Sequence, residues 1–90
     1  MAETYTEIRQ HLDSGNVHEA KAVAGALLEE KDDAALHYLY GLACARLGEY
    51  HHAVNAFLQA ERLDPQSPAV EAKAMLDEIY AFRNTDLINP

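Results

Sequence analysis

The chain has 90 residues, 49% of them hydrophobic, and a net charge of −8, which predicts one small acidic domain. The acidic balance argues against nucleic acid and membrane surfaces as partners, because both select clustered Lys and Arg. A single Cys excludes an internal disulfide framework and a multi-cysteine metal site, and it favours a reducing, cytoplasmic location. The first residues do not predict a signal peptide, and no apolar run reaches the ~20 residues of a membrane span.

Apolar residues at helical spacing predict five helices, at residues 2–13, 17–30, 34–47, 50–63 and 68–83. The first helix has an apolar face of Tyr5, Ile8 and Leu12, and the turn residues 13–16 separate it from the second. The charged stretch 29–33 ends the second helix, and its last residues, Asp32 or Asp33, are candidate N-caps for the third.

The third helix is almost wholly apolar, so we expect it to be buried on more than one side. Gly48 ends it, and the fourth helix stops before residues 64–68. In that stretch, Ser67 followed by Pro68 predicts a cap with proline at the first helical position. Residues 84–90 are expected to form an extended tail. No segment alternates with period two, so the sequence predicts an all-α fold.

One short motif occurs twice, as GNVHEA at 15–20 and GEYHHA at 48–53, 33 residues apart. Each copy lies between two predicted helices, and a two-helix unit of this period is typical of a helical solenoid. The second unit also has Gly41 before the motif and Phe57, Ala60 and Pro65 after it.

With these residues the sequence resembles the tetratricopeptide repeat family, whose pattern is W-x2-L-G-x2-Y, then A-x3-F, then P. His37, Tyr40 and Cys44 depart from the pattern. The positions that define the repeats are Gly15, Ala20, Gly41, Gly48, Tyr50, Ala53, Phe57, Ala60 and Pro65. Gly41 and Ala53 are expected to allow close approach of the paired helices, and Phe57 to fill the gap between that pair and the next helix.

The resemblance implies a short right-handed α-solenoid. The expected organisation is one domain, residues 1–83, with repeats at about 2–33 and 34–67, a capping helix at 68–83, and the tail.

Recognisable catalytic, phosphate-binding or cofactor motifs are absent from the sequence, so neither an enzyme nor a cofactor is expected. His18, His51 and His52 are interpreted as solvated residues at helix starts, although an adventitious metal site is an alternative. We interpret His37 as partly buried and hydrogen-bonded, or else as a pH-sensitive contact. Cys44 is expected to be buried and inert. The acidic runs, Glu29, Glu30, Asp32 and Asp33 and then Glu71, Asp77 and Glu78, are interpreted as solvated surface or a docking patch for a basic partner.

In the family, the first helix of each repeat lines a concave groove that holds a peptide or helix of another protein. Carried onto this sequence, the groove positions are Tyr5, Arg9, Leu12, Tyr38, Leu42, Ala45 and Arg46. Tyr and Arg are enriched at interface hot spots. Tyr38 as a core residue and Arg46 as a helix-end charge remain the alternatives.

The leading functional hypothesis is therefore a non-catalytic protein-binding module with a protein or peptide partner. The second is a self-associating assembly protein, a homodimer through the last helix, which carries Val70, Met75, Leu76, Ile79, Tyr80 and Phe82. A metal protein or enzyme that uses the His residues is a remote third.

Overall fold

The fold is a row of five α-helices, seen in a computed structural model that describes residues 2–88, with side chains over 5–78. The helices are α1 (Ala2–Asp13), α2 (Val17–Leu28), α3 (Ala34–Arg46), α4 (Tyr50–Leu63) and α5 (Ala69–Ile88). Residues 2–88 contain no strand, so the all-α prediction is confirmed. Each helix packs on the next, and α1 also contacts α3. Within the described residues, no helix is both long and apolar enough to cross a membrane.

The turns after α1 and α3 have the same geometry. Gly15 and Gly48 adopt positive φ angles of 87° and 81°, which side chains disfavour. In each turn the amide after the glycine donates to the carbonyl five residues earlier, at 2.8 Å after Gly15 and 2.9 Å after Gly48. These bonds satisfy carbonyls at the helix end, so the repeated motif encodes a repeated C-terminal cap.

Polar caps begin α3 and α5. The Asp33 carboxylate accepts the amides of Ala35 and Leu36 at 2.8 and 3.3 Å. The Ser67 hydroxyl accepts the amide of Ala69 at 3.1 Å. Both caps agree with the sequence prediction. Of the two candidates for the N-cap of α3, Asp32 and Asp33, it is Asp33 that forms the cap.

The C-terminal end of α5 corrects one prediction. Residues 84–88, which we expected to be extended, continue the helix through Ile88, and the remaining two tail residues lie outside the described part of the chain. Asn84 to Ile88 contain neither Gly nor Pro, so nothing in the local sequence ends the helix there.

Two core clusters share α3 between them. The first joins Ile8, Leu12, Ala20, Ala24, Leu36, Leu39 and Ala43. The second joins Cys44, Ala53, Phe57, Ala60, Ala69 and Leu76. Since α3 contributes to both, its predicted burial on more than one side is confirmed.

Gly41 lies against Phe57 of α4, in agreement with the predicted close approach of the two helices of this repeat. A Cβ added to Gly41 would lie 2.6 Å from Cδ1 and 3.1 Å from Cζ of Phe57. The Phe57 ring therefore lies against the bare backbone of α3, within its own helix pair, instead of filling only the gap to the next helix. Ala53 is fully buried beside it in the second cluster.

Candidate functional site

Two hydrogen bonds link α1 and α3, one at each end. The Tyr5 hydroxyl donates to Oδ2 of Asp33 at 2.7 Å, near the start of both helices. Nη1 of Arg46 donates to the carbonyl oxygen of Leu12 at 2.6 Å, near the end of both. The two helices therefore run parallel and side by side, and the two hydrogen bonds hold them in a fixed arrangement. We call the outer surface that α1 and α3 share the floor.

The Tyr5–Asp33 link is also an electrostatic unit. Its hydrogen bond to Asp33 raises the pKa of the Tyr5 phenol, and burial adds to that rise. Burial alone would raise the pKa of the Asp33 carboxyl, but the hydrogen bonds from Tyr5 and from the amides of Leu36 and Ala35 outweigh it and leave that pKa lowered. Lys31 lies 3.4 Å from the same carboxylate. Asp33 is thus held as an anion that fixes the start of α3 to α1.

The middle of α3 carries apolar side chains that are only partly covered. Tyr38 and Leu42 of α3 are half-buried, and each packs against both core clusters. The Tyr38 ring lies 6.1 Å from the Phe57 ring, centroid to centroid, at a tilt of 40°. This tilted arrangement is a favourable aromatic pair. Ala45, half-buried one turn further along α3, packs against the second cluster.

The predicted groove residues fall into three groups. Arg9 and Arg46 are exposed, and Tyr5, Tyr38 and Leu42 are half-buried. Leu12 is 3% exposed in the first core cluster, so its side chain is unavailable to a ligand and its assignment to the groove is wrong. The physical reason is that α1 has a single apolar stripe, which must cover the core, and Leu12 lies on it.

Arg46 has a role that its position in the sequence did not reveal. The sequence predicted Arg46 as a groove residue or, alternatively, as a charge that offsets the dipole of its own helix. Its guanidinium also reaches the end of α1 and donates to the Leu12 carbonyl. A guanidinium has five N–H donors, so this bond leaves others available. Arg46 can therefore hold the floor together and still contact an anion.

The histidines have mostly the positions that the sequence predicted. His18, His51 and His52 are exposed. His37 is partly buried, with Nε2 2.7 Å from Oδ1 of Asp32. Among the residues with described side chains, no three His, Cys, Asp or Glu groups converge on a position that would hold a metal ion.

Cys44 and an ion pair mark the contact between the two repeats. Cys44 is fully buried, and burial raises the pKa of its thiol. Nearby, Nζ of Lys21 lies 2.6 Å from Oε1 of Glu49. That hydrogen bond raises the pKa of Lys21 and lowers the pKa of Glu49. The sequence did not predict this pair; the only available signal was that Lys21 follows one copy of the repeated turn and Glu49 lies in the other.

The acidic runs are mainly solvated. Glu29, Glu30, Asp32, Glu71, Asp77 and Glu78 are exposed, as the solvated-surface interpretation predicts. Asp33 differs, because it is half-buried and its oxygens are hydrogen-bonded within the fold. Assigning it to the solvated run was therefore wrong.

The apolar residues of α5 divide between core and surface. Leu76 is buried in the second cluster, so it is not part of a surface for self-association. Val70 and Met75 are 37% and 63% exposed. The side chains of Ile79, Tyr80 and Phe82 lie outside the described residues.

Comparisons with known proteins agree with this architecture. The sequence matches the tetratricopeptide repeat family over residues 5–68, which spans α1 to α4 and the turn that follows. The solution NMR structure of the Bacteroides fragilis protein BF1650 is similar, with a TM-score of 0.81 and 29% sequence identity. The alignment covers 94% of this chain and 88% of that one. No functionally curated protein matches the sequence.

Proposed function

Since the chain belongs to the tetratricopeptide repeat family, we propose that it is a non-catalytic module that binds a peptide or helix of a partner protein on the floor formed by α1 and α3. Repeats of this family generally mediate protein–protein interactions and are typically non-catalytic. The observation that carries the proposal is the parallel α1–α3 pair. On these two helices Arg9 and Arg46 are exposed, and Tyr38 and Leu42 are partly exposed.

The chemistry of this floor favours a particular ligand. Arg9 and Arg46 are two of only seven Lys and Arg residues in a chain of net charge −8, so a positive rim is a local exception. Guanidinium groups bind carboxylates through paired hydrogen bonds. Tyr38 and Leu42 offer an apolar surface to an anchoring side chain. The preferred segment therefore carries an acidic residue next to an apolar one.

The test is a selection from a random peptide library against the purified protein, followed by Kd measurements on variants. Arg9 is exposed and serves the fold less than Arg46 does, so Arg9→Glu is the informative change. Arg62→Glu on α4 is the matched control, with the same change of charge on a second helix of a repeat. We expect Arg9→Glu to weaken binding of the selected peptides by roughly tenfold, and Arg62→Glu to leave it within about twofold. Equal effects of the two changes would contradict the proposal.

Self-association is the second candidate, because large apolar side chains are exposed on the last two helices. Leu58 and Leu63 of α4 are 43% and 42% exposed, and Val70 and Met75 of α5 accompany them. Size-exclusion chromatography with light scattering distinguishes the two functions. A dimer that Met75→Asp converts to monomer would favour self-association, whereas a monomer at all concentrations would exclude it.

A further inference from the structure

α5 packs on the second core cluster in the same register in which α3 packs on the first. The covered positions are Leu36, Leu39 and Ala43 in α3 and, 33 residues later in each case, Ala69, Ala72 and Leu76 in α5. Side-chain directions repeat along any α-helix, so equivalent positions on the two helices point the same way relative to the packed face. α5 therefore acts as the first helix of a third repeat, in addition to capping the second. α3 is covered on a further side that α5 leaves open, since Cys44 is buried and the equivalent Asp77 is exposed.

Because α5 repeats the buried positions of α3, it adds a third helix to the floor. Arg9, Leu42 and Met75 occupy equivalent positions on α1, α3 and α5, again 33 residues apart. Leu42 is half-buried and Met75 is 63% exposed, more than any other large hydrophobic residue with a described side chain. The exposure of Met75 has a direct explanation if its side chain borders the ligand surface. Methionine is also well suited to such a surface, because its flexible thioether adapts to different apolar partners.

The two ends of this three-helix floor carry opposite charges, negative on α5 and positive on α1 and α3. Glu71 is equivalent to Tyr38, and Glu78 to Ala45, and both glutamates are exposed on α5. Arg9 and Arg46 lie at the other end, where the exposed acidic residues of α1 with described side chains are Glu7, two residues from Arg9, and Asp13. A ligand that crosses from α1 to α5 therefore passes from arginines, over an apolar centre, to a pair of carboxylates.

Building on the proposed function, we propose that the partner segment is dipolar. Its acidic end lies over α1 and α3, and an apolar residue lies against Tyr38, Leu42 and Met75. A Lys or Arg lies against Glu71 or Glu78, which are about two helical turns apart on α5. α1 contacts α3 directly, whereas α5 packs on α4 and shares the second core cluster with α3. Packed helices lie ~8–10 Å apart, so the three first helices span at least ~20 Å, which an extended segment of about six or more residues can cross. A second copy of the chain fits less well, because each copy carries a net charge of −8.

The test compares peptides selected from one random library by three proteins. These are the unchanged chain, the double variant Glu71→Lys, Glu78→Lys, and a control, Glu19→Lys, Glu30→Lys, which makes the same change of charge elsewhere on the surface. The unchanged chain and the control are expected to select peptides with acidic and basic residues on opposite sides of an apolar anchor. The α5 variant is expected to lose the basic end and to bind the original peptides roughly tenfold more weakly.

A second pair of variants tests the apolar centre. Met75→Asp is expected to weaken binding roughly tenfold, while Val70→Asp, a matched change on another side of α5, is expected to change it less than about twofold. If Arg9→Glu weakens binding but both α5 changes leave affinity and selected sequences unaltered, the dipolar ligand is refuted and the α1–α3 floor stands. If Arg9→Glu has no effect either, or the unchanged chain selects no peptides, both proposals are refuted.

Discussion

Replacing Gly41 by Ala tests how closely α3 and α4 approach. The new Cβ would lie 2.6 Å from Cδ1 of Phe57. An ordinary contact between carbon atoms needs ~3.5 Å, so the ring or the helix must move by about 1 Å. Phe57 is 1% exposed and surrounded by the second core cluster, so the ring has little room to withdraw.

The expected magnitude is the difference between two opposing effects. Alanine in a helix interior is favoured over glycine by ~1 kcal/mol. Overpacking a tight core costs ~1–3 kcal/mol, and here the displaced group is a buried ring. The difference is about 0–2 kcal/mol, and because the displaced ring is buried we expect Gly41→Ala to lower the free energy of unfolding by the upper half of this range, about 1–2 kcal/mol. For a chain of this length that corresponds to a fall in Tm of roughly 4–15 °C. Gly41→Leu should be more damaging still.

Gly25→Ala is the matched control, because Gly25 also lies in a helix interior beside an aromatic ring. Its new Cβ would lie 3.3 Å from Cε2 of Tyr40, and Tyr40 is only half-buried, so a small shift of the ring suffices. The helix preference then prevails, and we expect a change between zero and about 1 kcal/mol of added stability. Thermal and urea unfolding, monitored by circular dichroism, measure both variants. Equal stability of Gly41→Ala and Gly25→Ala would refute the close contact.

Four further predictions follow from the polar links and the buried thiol. Because the pKa of Asp33 is lowered, its stabilising effect is present above the ordinary carboxyl pKa and is lost as pH falls through the lowered value. Asp33→Asn still caps α3 but does not titrate. The free energy of unfolding of this variant should therefore fall less steeply with acidification than that of the unchanged chain. NMR titration should give Glu49 a pKa below its ordinary value, and that pKa should rise in Lys21→Met, which removes the largest cause of the shift; an unchanged value would contradict the ion pair. Arg46→Ala should lower the free energy of unfolding by ~1–2.5 kcal/mol in urea, because the lost hydrogen bond to the Leu12 carbonyl (~0.5–1.5 kcal/mol) adds to the lost helix-end charge (~0.3–1 kcal/mol). Cys44 should resist a thiol reagent in the folded protein and react after unfolding, and rapid native labelling would contradict its burial.

Local features of the fold were predictable because short sequence patterns determine them. The positive φ angles of Gly15 and Gly48 follow from the repeated motif, and the caps at Asp33 and Ser67 follow from residue type next to an apolar run. The extended tail was predicted against the local sequence, because residues 84–88 contain no Gly or Pro that would end α5, and the helix continues through Ile88.

The links between helices could not be read from the sequence. Tyr5 and Asp33 are 28 residues apart, and Arg46 and the Leu12 carbonyl are 34 apart. The periodicity of the sequence does not show which polar groups contact each other when they are this many residues apart. Leu12 was assigned to the groove by its position within the repeat. It lies on the single apolar stripe of a terminal helix, so its side chain is buried in the core. The proposal that α5 extends the ligand surface depends on which of its residues are buried, and the comparison with the buried residues of α3 needs the structure.

The most direct test of ligand binding on the first helices is NMR shift mapping of the isotope-labelled chain with a peptide selected against it. The amide and methyl signals that move should belong to α1, α3 and α5, with Leu42 and the Met75 methyl among the largest changes. Signals of the exposed side of α2, represented by Ala22 and Ala26, should stay in place. Shifts concentrated on α2 and α4 instead would show that the partner binds on the second helices and would contradict the account.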